Sequence, residues 1–201
     1  MRKKRVAFFG GTFNPPHLGH EILAQEACYQ LGLDSLQWLV TPDPPHKKEA
    51  AIAPIQHRLE MLDRIVKSVP YFDISRLDLD RPPPHYAADS VEIARGQFPD
   101  CEIIYLLGED SLQDLPGWHQ PTRFLEALDQ LAVAPRPGVQ ADLAGLEGRL
   151  PGISQKTVFL QGVVLEISSS LIRERIRQRA PFRHFLDAEV ADYLDDNKLY
   201  Y

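Results

Sequence analysis

The stretch "VAFFGGTFNPPHLGH", Val6 to His20, decides how the chain is read. The apolar run Val6–Phe9 reads as part of a buried strand, Arg5–Phe9. Gly10-Gly11 follow at once, then Pro15-Pro16. From His17 to Leu31 a helix is expected, with Leu18, Ile22, Leu23, Ala27 and Leu31 at helical spacing. Strand, glycine turn, helix is a geometry that suits phosphate. Glycine lets the chain turn sharply and lets a ligand approach the backbone. The free N–H groups and the dipole of a helix start then favour an anion. Proline fits a first helical turn, where a missing N–H costs little. His17 and His20 stand three apart, so they share a helix face and can reach one ligand. Gly19 between them costs a helix about 1 kcal/mol relative to Ala, which calls for a packing or ligand reason. A turn leading into a capped helix with two surface histidines explains each residue singly, but not the set. The stretch has neither the lysine of GxxxxGK[ST] nor a GxGxxG fingerprint. Zinc is disfavoured because the two histidines lack a third ligand nearby.

Outward from this stretch, strands and helices alternate. Strands are expected at Leu36–Val40, in "YFDISRLDL" as an edge strand, at Glu102–Gly108, at Gln130–Pro135, and at either Val158–Leu160 or Val163–Ile167. Helices are expected at Gln56–Val69, with Leu59, Leu62, Val66 and Val69 facing inward, and at His85–Phe98, Ser168–Arg179 and Asp187–Asn197. The pattern predicts an α/β fold, a doubly wound parallel sheet with helices on both faces. Residues 138–157 read as a surface insertion or an irregular helix.

The chain has 201 residues, 44% hydrophobic and 25% charged, as expected for one globular domain over 1–201. A net charge of -6 argues against a general nucleic-acid surface. Arg2-Lys3-Lys4-Arg5 is basic, but Val6–Phe9 is too short for a signal-peptide core, and no stretch reaches membrane-span length. Cys28 and Cys101, without metal spacing, read as reduced thiols of a cytoplasmic protein. Neither nucleic acid nor membrane is expected as a partner.

A second constellation is "ISSSLIRERI", Ile167 to Ile176. Serines cap a helix start. Arg173, however, stands three residues after Ser170, where a capping box would place Glu or Gln. A cation there is more comfortable beside a bound polyanion. Hydroxyls, N–H groups and an arginine make a second phosphate cradle. Arg175 and Arg177 read as solvent-facing or paired with Glu174.

His17-Leu18-Gly19-His20 resembles the (T/H)xGH signature of the nucleotidylyltransferases, and Ile167–Arg173 resembles their ISSxxxR motif. "TPDPPHK" (Thr41–Lys47), "PHYAADSVE" (Pro84–Glu92), "LLGEDSLQDLPGWHQ" (Leu106–Gln120) and "PRPG" (Pro135–Gly138) resemble the bacterial nicotinate-nucleotide adenylyltransferases. The resemblance implies a Rossmann-like fold with a small C-terminal helical part at 168–201. It also implies a reaction joining ATP and nicotinate mononucleotide, with Mg2+ on the triphosphate. His17, His20 and Arg173 are then the catalytic candidates. Gly10, Gly11, Thr12, Phe13, Gly19, Gly108, Asp110, Ile167, Ser168 and Ser169 join them around ATP. Asp110 has a helix N-cap as its competing role. Lys47 is implied at the mononucleotide phosphate, where a solvated loop lysine is the plain alternative, and Arg136 is a similar candidate. Tyr86, Ala87, Trp118 and His119 are implied around the pyridine ring, with Trp118 open between ring stacking and core. Backbone N–H groups of Tyr86-Ala87 and Trp118-His119 are candidates for the substrate carboxylate. Family members often have Asp at 14, Thr at 87 and Tyr at 119, where this chain has Asn14, Ala87 and His119. The rivals are a nicotinamide-mononucleotide or dual-specificity enzyme, a pantetheine-phosphate adenylyltransferase and a non-catalytic nucleotide sensor. The tryptophan segment argues against the pantetheine enzyme. The presence of both histidines argues against the sensor. The oligomeric state is left open, a homo-oligomer included.

Overall fold

A computed structural model describes residues 2–43, 52–136, 138–162 and 166–201. Among the described residues, six strands form one sheet: β1 (Lys4–Gly11), β2 (Ser35–Val40), β3 (Phe72–Ser75), β4 (Cys101–Gly108), β5 (Gln130–Ala134) and β6 (Thr157–Phe159). Their order is β3-β2-β1-β4-β5-β6, and every neighbouring pair is parallel. The chain winds outward from β1 in one direction and then, from β4, in the other. The crevice at the carboxyl ends of β1 and β4 is therefore the switch point where such sheets bind ligands.

The continuous apolar runs of β1 and β4 follow from burial on both faces. The pleat divides each strand between two cores. Ala7, Phe9, Ile104 and Leu106 join α1 (Leu18–Leu31), α2 (Ile55–Val66), α8 (Ser169–Arg177) and α9 (Ala188–Asp196) on one side. Val6, Phe8, Ile103, Tyr105 and Leu107 join α3 (Ala87–Gln97), α4 (Glu109–Asp114), α5 (Pro121–Ala127), α6 (Leu143–Arg149) and α7 (Ile153–Lys156) on the other. This is the doubly wound fold that the alternation predicts.

β3 takes the expected edge position. β6 falls on the first of its two alternatives, while 163–165 of the second lie outside the described residues. Residues 138–157 hold α6 and α7, which feed directly into β6. On α2 the buried residues are Arg58, Met61, Leu62 and Ile65, with Leu59 and Val66 packed at the margin. Val69 lies just beyond the end of that helix.

Candidate active site

The site starts where β1 ends. A Cβ at Gly10 would collide with the Tyr105 hydroxyl from β4, and one at Gly11 would lie 2.7 Å from Phe13 Cζ. Both glycines are therefore required by neighbouring rings. Phe13 takes a left-handed backbone, φ 48°, and its ring is buried against Phe9, Trp38 and His20 at 5.1–5.4 Å between centroids. Burying this ring pins the turn and sends the chain back over the strand ends into α1.

His17 is the N-cap of α1 and is 5% exposed. Its ring stacks on His20, with centroids 3.6 Å apart and planes 28° from parallel. The His17 backbone N–H donates to His20 Nδ1 at 3.2 Å. A ring nitrogen that accepts carries no proton, so His20 holds its proton on Nε2 as a donor. Burial, with the charge of Arg136, holds His17 down to about 3, so its imidazole is neutral. Its Nδ1 is buried without a hydrogen-bond partner among the described residues. Gly19 has its reason here: a Cβ there would stand 3.0 Å from His17 Nδ1 and 3.5 Å from Ile167 Cβ. Two helix starts, those of α1 and α8, thus come together.

Side chains of α8 stitch it to the β1–α1 loop. Ser169 Oγ donates to the Pro15 carbonyl at 2.8 Å, and Arg173 Nη1 donates to the Asn14 carbonyl at 2.7 Å. Arg173 Nη2 reaches Ser170 Oγ at 3.1 Å. Ser168 is the N-cap and accepts from the Leu171 N–H at 3.1 Å. The serine hydroxyls read from the sequence as phosphate ligands thus serve the cap and the loop.

At the β4 end, Gly108 rather than Asp110 is the N-cap of α4. A Cβ at Gly108 would collide with the Asp110 carboxylate. Arg136 Nε lies 3.5 Å from Asp110 Oδ1, both side chains being about half exposed. Buried Glu109 accepts from the backbone N–H of Arg136 at 3.3 Å and of Ala141 at 2.9 Å, fixing the exit from β5.

Farther along the same edge, Tyr86 is the N-cap of α3 and stacks on His119 at 3.8 Å. Half-buried Trp118 packs on Tyr105 and Phe124, centroids 6.4 and 5.4 Å away. The Trp118 N–H donates to the Leu115 carbonyl at 3.0 Å. That N–H, counted from the sequence as a donor to substrate, is already engaged. Of the four candidate N–H groups in these segments, those of Tyr86, Ala87 and His119 are not engaged in this way.

Two buried networks escaped the sequence reading. Arg58, 1% exposed, donates to the carbonyls of Thr12, Thr41, Pro42 and Ala53 at 2.6–3.1 Å. Asp78, 3% exposed, accepts from Ser90 Oγ at 2.6 Å and Arg81 Nη2 at 2.9 Å. Arg81 also donates to the carbonyls of Pro84 and Tyr86, so the pair shapes the entry to α3. Carbonyl partners leave no mark in a sequence, and the expected edge strand "YFDISRLDL" ends at Ser75, so that Asp78 falls in the turn after it. Lys47 lies outside the described residues. Among the described residues, no group of three or more His, Cys, Asp or Glu side chains could hold a metal ion. No described helix is long and apolar enough to cross a membrane.

Comparison with known proteins places this geometry. The cytidylyltransferase-like family model matches residues 8–175. A probable nicotinate-nucleotide adenylyltransferase of Thermomicrobium roseum is 39% identical over 98% of this chain and 91% of its own length. The nicotinate-nucleotide adenylyltransferase of Bacillus subtilis is 30% identical over 98% of both. Among solved structures, Plasmodium falciparum nicotinic acid mononucleotide adenylyltransferase complexed with NaAD superposes with a TM-score of 0.81 at 17% identity, covering 98% of this chain and 97% of the other. At that identity the likeness shows the fold.

Proposed function

The chain belongs to the cytidylyltransferase-like family and, within it, to the nicotinate-nucleotide adenylyltransferases, and from that membership we propose that it joins ATP to nicotinate mononucleotide, yielding nicotinate adenine dinucleotide and pyrophosphate. The observation that carries the reading is the stacked, neutral His17–His20 pair at one helix start, stitched to a second helix start through Arg173 and Ser169.

An oxygen of the mononucleotide phosphate attacks the α-phosphorus of ATP. One P–O bond forms as the bond to the β-phosphate bridging oxygen breaks, and pyrophosphate leaves with the electron pair. The nucleophile is already anionic, so no protein base is needed. The protein's task is to hold two polyanions in line and to steady the charge that builds at the α-phosphate. His20 Nε2–H is the donor aimed at that charge, with His17 beside it. A neutral His17 adds no proton that the reaction must move. The N–H groups of α1 and α8, Gly10, Gly11, Thr12 and Gly19 along the turn, and Arg173 take the triphosphate. Lys47 takes the mononucleotide phosphate. Trp118, Tyr86, Ala87 and His119 take the pyridine ring and its carboxylate. A magnesium ion is expected on the triphosphate rather than in a protein cage. There it would neutralise phosphate oxygens.

Residues 1–201 act as one domain in a reducing cytoplasm. Buried Cys28, its thiol pushed up to about 12 by burial, stays protonated. Pyrophosphate release is the test. Release from ATP that requires added nicotinate mononucleotide supports the reading. Release without it, or none with it, contradicts the reading, and binding of ATP with no release would mark a nucleotide sensor.

A further inference from the structure

The loop that delivers His17 and His20 is held by a tyrosine 186 residues away in sequence. Asn14, 4% exposed, is the hub. Its Oδ1 accepts from the Ala53 N–H at 3.0 Å and from the Tyr200 hydroxyl at 2.6 Å. Its backbone carbonyl accepts from Arg173. Its neighbour Phe13 sits in the left-handed region, a conformation that persists only when its surroundings over-determine it. Tyr200 is itself left-handed, φ 68°. Packing against the α1-side core accounts for its ring. Packing does not account for a hydroxyl directed at Asn14.

We propose that Tyr200 is a positioning residue for adenylyl transfer, acting through Asn14 to set the loop that places His17 and His20. The inference rests on the function proposed above. Arg58 on the Thr12 carbonyl, Arg173 on the Asn14 carbonyl and Tyr200 on the Asn14 side chain grip one loop from three parts of the chain. Of these three grips, only that of Tyr200 can be removed without removing a charge; Ser169 on the Pro15 carbonyl is a further uncharged grip, from α8. Tyr201 next to it is exposed, and its hydroxyl turns away to Asp195, which makes it the control.

The experiment compares steady-state kinetics, with ATP and nicotinate mononucleotide, of the wild type, Tyr200→Phe, Tyr201→Phe, Asn14→Asp and the Asn14→Asp/Tyr200→Phe double variant. Each is assayed well below its own Tm. A wild type without turnover would fail the proposed function and is seen before any variant is compared. With an active wild type, Tyr200→Phe is expected to lower kcat about tenfold, the worth of one hydrogen bond, with both KM values within about twofold. Tyr201→Phe keeps wild-type kcat. In the Asn14→Asp background the hydroxyl donates to a carboxylate, a stronger bond, so the same change costs more, about thirtyfold. Wild-type kcat in Tyr200→Phe, whatever its Tm, overturns the proposal. An equal loss in both backgrounds overturns it too, because the hydroxyl would then not act through residue 14. If Asn14→Asp does not fold, the comparison of Tyr200→Phe with Tyr201→Phe decides alone.

Discussion

Two imidazoles stacked at 3.6 Å need no charge for the role proposed above. His17 is held neutral by burial and by Arg136, and His20 presents a fixed Nε2–H. His20→Ala is expected to lower turnover about 10²- to 10³-fold, the usual cost of losing one preorganised donor, while circular dichroism stays that of the wild type. Folded protein with near wild-type turnover would remove His20 from the chemistry. Protonation also leaves a mark on stability. The folded value for His17, about 3, lies below its ordinary 6.5. The unfolded chain therefore binds more protons between these values, and the stability contributed by His17 is full above 6.5 and lost as pH falls toward 3. Glu21 runs the other way. Burial, reinforced by Asp187, pushes its carboxyl up from 4.5 to about 7. Its contribution is full below 4.5 and is lost as pH rises through 7. Glu21→Gln is thus expected to raise Tm relative to the wild type at pH 8 and to leave it nearly unchanged at pH 5. Calorimetry at the two values checks this, and an equal shift at both would contradict it.

Among the elements, those that the sequence disclosed are the ones that bury an uninterrupted apolar face. β1 and β4 carry apolar runs, and β3 betrays its edge position by alternation; on α1 only Ala27 and Leu31 of the five expected residues are fully buried, together with Ala24 and Cys28. α4 and α5 stayed hidden for a physical reason. They have six and seven residues and bury only two side chains each, Glu109 and Leu112 in one, Phe124 and Leu125 in the other. That is too short to display a 3.6-residue period. The start of α8 was legible as a capped helix with an unusual arginine. The destinations of Ser169 and Arg173 were not, because the Pro15 and Asn14 carbonyls lie 154 and 159 residues away. Arg173 holds the loop through the Asn14 carbonyl and is proposed above to meet the triphosphate, so Arg173→Ala is expected to raise the KM for ATP more than that for the mononucleotide and to lower kcat as well. Measuring both KM values decides. A rise for the mononucleotide alone would mean that the two substrates are placed the wrong way round.

Across the whole molecule, the strand order reverses between β1 and β4, and the carboxyl edge of the sheet carries two unlike ends. At one end stand the paired histidines and two helix starts. At the other stand Trp118, the Tyr86–His119 stack and the first turn of α3. The alternation of elements made the sheet legible, and the two motifs made the histidine end legible. The end proposed for the pyridine ring was less so, because its candidate donors are backbone groups whose availability depends on turns: the Trp118 N–H is taken by Leu115. The His119 N–H and the start of α3 remain, and both favour an acceptor that carries negative charge. A carboxylate only accepts, whereas the amide of the nicotinamide analogue turns an NH₂ toward those donors. His119 is exposed and Ala87 half-buried in the free chain, but donors that a bound substrate covers and leaves unpaired can discriminate by about 10⁴ or more. The direct measurement is kcat/KM for nicotinate mononucleotide and nicotinamide mononucleotide at fixed ATP and Mg2+, with products identified by mass and pantetheine phosphate as a third acceptor. The predicted result is nicotinate adenine dinucleotide as the main product and a preference for the acid of about that size. Equal values for the two mononucleotides, a preference for the amide, or a product only with pantetheine phosphate would contradict it.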